Sequence, residues 1–176
     1  GQVFASAGSI KISADGQLQN SGSVVAQHKE DPQQATIDIQ ATELNNSGSI
    51  SSLGKQSIQT TNLNNTGLIA TSAELNIRNK ETIQNQGELN AGRVDLETKD
   101  LKNSSGKVVQ TGLQDLAIDA KTLNNKNKGL IGYTEIDQDT GTNPSTGTGG
   151  GNTGGSGSET EAPSTATGGG STSSAN

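Results

Sequence analysis

Six copies of one short phrase organise this chain: Leu18-Gln-Asn20-Ser-Gly22, Leu44-Asn-Asn46-Ser-Gly48, Leu63-Asn-Asn65-Thr-Gly67, Ile83-Gln-Asn85-Gln-Gly87, Leu101-Lys-Asn103-Ser-Ser-Gly106 and Leu123-Asn-Asn125-Lys-Asn-Lys-Gly129. Their glycines follow one another at steps of 26, 19, 20, 19 and 23 residues. A period near nineteen with insertions is the mark of a solenoid, a one-dimensional stack in which each unit touches only its neighbours.

Two alternating segments fill each period. The first carries an apolar residue two positions after each glycine: Val24, Ile50, Ile69, Leu89, Val108 and Ile131. The second is an apolar pair with one residue between: Ile10/Ile12, Ile37/Ile39, Leu75/Ile77, Val94/Leu96 and Leu116/Ile118. Both have the two-residue repeat of a strand rather than the 3.6-residue repeat of a helix. The Leu of the phrase opens a third short inward step, so one rung reads as three short strands joined by tight turns. That is an all-β parallel β-helix of about six rungs, stacked ~4.8 Å apart. Leucine-rich repeats share the length, but no apolar i, i+3, i+4 pattern supplies their helical segment.

Composition agrees only with such a thin core. Apolar residues make up 27% of the 176 positions, and Phe4 and Tyr133 are the only aromatics. An ordinary globular domain holds roughly 45–50% apolar residues. Residues 1–136 therefore read as the β-helix. Residues 137–176 contain no Leu, Ile, Val, aromatic, Lys or Arg, and read as a flexible low-complexity linker that cannot offset its own ordering entropy. Gly1-Gln2-Val3 aligns with Gly48-Ser49-Ile50, so the sequence reads as a segment of a longer array.

The corner residues form the expected structural turn ladder. Asn tolerates the left-handed conformation, and its amide bonds neighbouring backbone. Asn20, Asn46, Asn65, Asn85, Asn103 and Asn125 would stack into an amide ladder, with Gly22, Gly48, Gly67, Gly87, Gly106 and Gly129 completing each bend. A second column, Lys55, Glu74, Arg93 and Asp115, alternates in sign from rung to rung and would select register. After the apolar pair come Arg78, Glu97 and Asp119, with Lys99 and Lys121 two residues beyond Glu97 and Asp119. Gln56 sits in an apolar slot, which marks its rung as locally weaker.

Little here suggests chemistry. The net charge of −6 offers no basic stripe for nucleic acid. No cysteine is present, so disulfides and thiolate metal sites are excluded, and no apolar run is long enough to span a membrane as a helix. The candidate acids are Asp38, Asp95, Glu97 and Asp119. Asp38 and Asp95 would lie three rungs apart, roughly 14 Å at the strand spacing, beyond the ~5–9.5 Å of paired glycosidase carboxylates. Glu97 and Asp119 would be adjacent, yet cations surround them and a solvated charge lattice fits better. His28, in the insertion 27–34, lacks the partners that catalysis or metal binding needs. No catalytic, cofactor or metal site is expected, and the chain is not expected to be an enzyme.

The phrase LNNSGSI, followed by an alternating strand and recurring over residues 1 to about 132, resembles the haemagglutinin repeats of filamentous-haemagglutinin-like exoproteins of Gram-negative bacteria. The resemblance implies a right-handed β-helical shaft, secreted to the cell surface through an outer-membrane two-partner-secretion transporter. It implies a monomeric rod that serves adhesion and biofilm formation, or that holds out the toxin of a contact-dependent growth-inhibition protein. The insertions at 27–34 and 126–128 depart from the even spacing of that family. The same fold would also suit direct binding of a host or neighbouring-cell glycan or receptor, or a β-helical polysaccharide lyase or hydrolase.

Overall fold

The computed structural model describes residues 1–133, and the linker expected over 137–176 lies outside them. The chain winds through three strand segments per turn, and every strand ladder is parallel. The first wall is built by β1 (Gln2–Ala5), β3 (Ser23–Ala26), β5 (Ser49–Ser52), the start of β7 (Leu68–Asn85), the start of β8 (Glu88–Ser104), β9 (Lys107–Gln110) and β11 (Leu130–Tyr133). The second and third walls are built by β2 (Ile10–Asn20), β4 (Ile37–Asn46), β6 (Gln56–Asn65), the remainders of β7 and β8, and β10 (Ala117–Lys126). The described residues thus form an all-β solenoid, with seven passes of the first wall and six of the other two. Six steps at ~4.8 Å raise it roughly 29 Å.

The core consists of aliphatic columns. On the first wall Val3, Val24, Ile50, Ile69, Leu89, Val108 and Ile131 lie in register. On the second, Ile12, Ile39, Ile58, Ile77, Leu96 and Ile118 do the same; on the third, Leu18, Leu44, Leu63, Ile83, Leu101 and Leu123. Strand alternation sends every second side chain inward, and the parallel ladder brings like onto like. Each fully buried Ile or Leu contributes about 1.5–3 kcal/mol, so a thin lumen lined by aliphatic columns still suffices. Columns open at the outermost described rungs: Val3 is 48% exposed and Leu123 52%.

The second and third segments are not separated by a tight turn. Strands β2, β4, β6 and β10 each run through both walls in ten or eleven residues, and β7 and β8 run through all three. The bend is absorbed by register shifts between Ala14 and Gln17, Thr60 and Asn62, and Arg78 and Thr82. An extra residue on one strand kinks the ladder without ending it.

Gln56 lies between Ile37 and Leu75 in a second-wall column and is fully buried. Its Nε2 donates to the carbonyls of Ala70 and Ile50, but its Oε1 has no partner. An orphaned buried acceptor costs about 1–3 kcal/mol, a physical ground for the weakness expected of this rung.

Candidate functional site

Two of the corners between the walls carry interior ladders of polar side chains. At the corner closing each turn, Asn20 Nδ2 donates to Asn46 Oδ1 at 2.8 Å, Asn46 to Asn65 at 2.8 Å and Asn65 to Asn85 at 2.9 Å. Asn85 continues to Asn103 at 2.8 Å and Asn103 to Asn125 at 2.9 Å. Each amide also caps backbone: Asn65 Nδ2 reaches the carbonyls of Gly67 and Glu88 at 3.2 Å. Asn46, Asn65, Asn85 and Asn103 are buried, so this is an interior ladder with its hydrogen bonds filled.

Left-handed backbone is not what selects Asn here. None of the six has positive φ; that conformation occurs instead at Ser105, Asn127 and Lys128, the residues that lengthen the last two copies of the phrase. The ladder asparagines stand in extended backbone at or near strand ends, where their side chains enter the lumen. The glycines answer to close approach rather than to φ. A Cβ on Gly48 would stand 2.0 Å from the carbonyl oxygen of Gly22, and one on Gly67 would stand 2.1 Å from that of Gly48. No side chain fits there.

The bend between the second and third walls carries a second interior ladder. Asn79 Nδ2 donates to Thr60 Oγ1 at 3.0 Å, and Thr98 Oγ1 donates to Asn79 Oδ1 at 2.9 Å. Sequence reading missed it, although Thr60, Asn79 and Thr98 keep the nineteen-residue spacing. Outside this bend runs a groove of about 890 Å³ along the axis. One half holds Ser13, Asp15, Gln40, Thr42, Gln59 and Thr61; farther along it are Arg78, Lys80, Lys99 and Lys121. Four acids, Asp15, Glu81, Glu97 and Asp119, match those four bases.

The charged candidates fall on this groove and on the second wall beside it. Asp38 and Asp95 share a column with Ser57 and Asn76 between them, so they do not meet. Glu97 and Asp119 are neighbours in register. Arg78 takes Asp95 in a two-pronged grip, Nη1 to Oδ1 at 3.0 Å and Nη2 to Oδ2 at 3.2 Å, while its Nε stands 3.1 Å from Glu97 Oε2. Hydrogen bonding from Arg78 holds the Asp95 carboxyl below the usual carboxylate range against the opposing effect of burial, and Asp95 in turn raises the guanidinium. Lys99 Nζ bonds Glu81 Oε2 at 2.8 Å, which raises its pKa. Glu81 was not singled out from sequence, because nothing in the repeat marks it.

In the alternating column, Lys55 Nζ lies 3.4 Å from Glu74 Oε1, and Glu74 pairs in register with Arg93. Asp115 lies before β10, outside any strand, and forms no ion pair among the described residues. His28 Nδ1 accepts the backbone N–H of Asp31 at 2.9 Å, and Asp31 caps the short turn Pro32–Gln34. The insertion is thereby folded on itself. Among the described residues no group of three or more His, Cys, Asp or Glu is placed to hold a metal ion, and no helix is long and apolar enough to cross a membrane.

No family model, curated protein or solved structure matches this chain.

Proposed function

We propose that these rungs are a shaft segment of a secreted, surface-displayed filamentous exoprotein of a Gram-negative bacterium, an adhesin or a toxin carrier, exported through a two-partner-secretion transporter. The observation that carries the reading is the unbroken axial hydrogen bonding: parallel ladders on three walls, with the asparagine amides of six successive rungs joined inside them. Bonds directed along the axis give length and stiffness without a large core, and a chain free of cysteine can thread a pore and fold beyond it. The phrase shared with haemagglutinin repeats supports the same reading. The shaft holds out other domains and performs no catalysis.

Spin labels on cysteines replacing Thr42 and Lys121, four rungs apart on one column, test the rod directly. A single narrow separation of roughly 19 Å is expected from the strand spacing. A broad distribution would remove the shaft. In the parent exoprotein, alanine at His28 through Asp31 should leave cell binding unchanged; its loss would favour direct recognition by the insertion.

A further inference from the structure

We infer that the groove at the bend between the second and third walls is a binding site for an uncharged, linear, hydroxyl-rich polymer, a neutral polysaccharide lying along the axis. This goes beyond the shaft, which needs no groove.

The interior and exterior amides differ in what they have left to give. Those of the asparagine ladder spend their donors and acceptors on one another and on backbone. Gln40 and Gln59 are stacked in register on the groove wall, yet among the described residues neither makes a side-chain hydrogen bond to protein, nor does Thr61 beside them. Each such amide offers two donors and an acceptor to a ligand. Their repeat along the groove is the strand spacing of ~4.8 Å, close to the length of one pyranose ring, so successive rungs can meet successive sugars. No extended peptide has that match here, because the groove runs across the strands and presents no free strand edge.

Charge decides which polymer. Acidic and basic side chains along the groove are equal in number: Arg78 is held by Asp95 and Glu97 and Lys99 by Glu81, while the remaining bases, Lys80 and Lys121, are offset by Asp15 and Asp119. A polyanion would be repelled by the groove's acids as much as drawn by its bases; a polyol is indifferent to both. One oxygen of Glu97 is held by Arg78, and Asp119 is its neighbour in register on the same strand wall rather than a partner facing it across the groove, which favours a binding role.

Affinity electrophoresis of the whole chain in native gels containing soluble glucomannan or soluble xylan, with dextran sulfate as the polyanion, tests the assignment. A neutral polymer should retard the protein, and Gln40→Ala with Gln59→Ala should weaken that retardation about tenfold, the loss expected for two net hydrogen bonds. Both positions face outward, so the double variant keeps its circular dichroism; Thr61→Val, a smaller change, should reduce binding in the same direction. Retardation by dextran sulfate alone, by neither neutral polymer, or undiminished in the double variant overturns the site. The spin-label distance stands or falls separately, so a failed groove is told apart from a failed rod.

Discussion

The corner closed by Asn and Gly and the bend between the second and third walls are passed six times each by the same chain, and they constrain it in opposite ways. At the first, backbones approach so closely that a single added carbon would overlap a carbonyl, and each inward side chain must both give and accept a bond. Identity is dictated at every turn. At the second, the inward column reads Ala14, Ala41, Thr60, Asn79, Thr98, Ala120, and the outer surface carries neutral, basic and acidic residues in turn. Small inward residues suffice there, which leaves the outside free to acquire a ligand.

Substitutions at matched positions can break or sharpen that contrast. Gly67→Ala should destabilise by about 3 kcal/mol or more through forced backbone displacement, while Gly16→Ala, with open space around it at the other bend, should stay within about 0.5 kcal/mol. Equal effects in chemical denaturation would dissolve the distinction. Asn65→Ala strands the donor of Asn46 and the acceptor of Asn85 and should cost about 2–4 kcal/mol. Asn79→Ala should cost about half that, because Thr98 Oγ1 also reaches the Glu81 carbonyl. Hydrogen exchange of the flanking rungs would locate each loss. Gln56→Leu, by removing an orphaned oxygen between Ile37 and Leu75, should stabilise by about 1 kcal/mol, visible as a higher denaturation midpoint.

The smallest effect belongs to the ion pairs beside the groove. Asp95 has its pKa lowered in the folded state, so its contribution is present above the ordinary carboxylate pKa and is lost as pH falls through that value toward the folded one. For a partly exposed pair this amounts to about 1 kcal/mol or less. Stability measured from pH 6 to about pH 3 should fall more steeply in the native chain than in Arg78→Ala, whose Asp95 has lost the strongest influence lowering its pKa. Identical slopes would mean that solvent screens the pair completely.

What could be read from the chain divides along the same line. Stacked aliphatics and the asparagine column were legible because the lumen repeats one identity at one spacing. Of the two reasons expected for Asn, the stacked, backbone-capping amide is present, while the left-handed backbone is absent from all six. The Thr60–Asn79–Thr98 ladder kept its spacing but changed residue type and was flanked by alanines, so no single letter announced it. Arg78 was placed beside Glu97 by register, but its two-pronged hold on Asp95 depends on how far a long side chain reaches along its own strand. Outward positions answer to no repeated demand, and the groove they line could only be seen once folded.

In the asparagine ladder every amide hands its proton the same way, from the earlier turn to the later. The small dipoles therefore add head to tail, and the pillar they form has an electrically positive pole toward Asn125 and a negative one toward Asn20. A cylinder whose letters repeat is nonetheless not interchangeable top for bottom. Any incoming coil must offer its carbonyl to the last unspent N–H, so growth has a built-in direction, and a coil laid on in reverse would meet like against like.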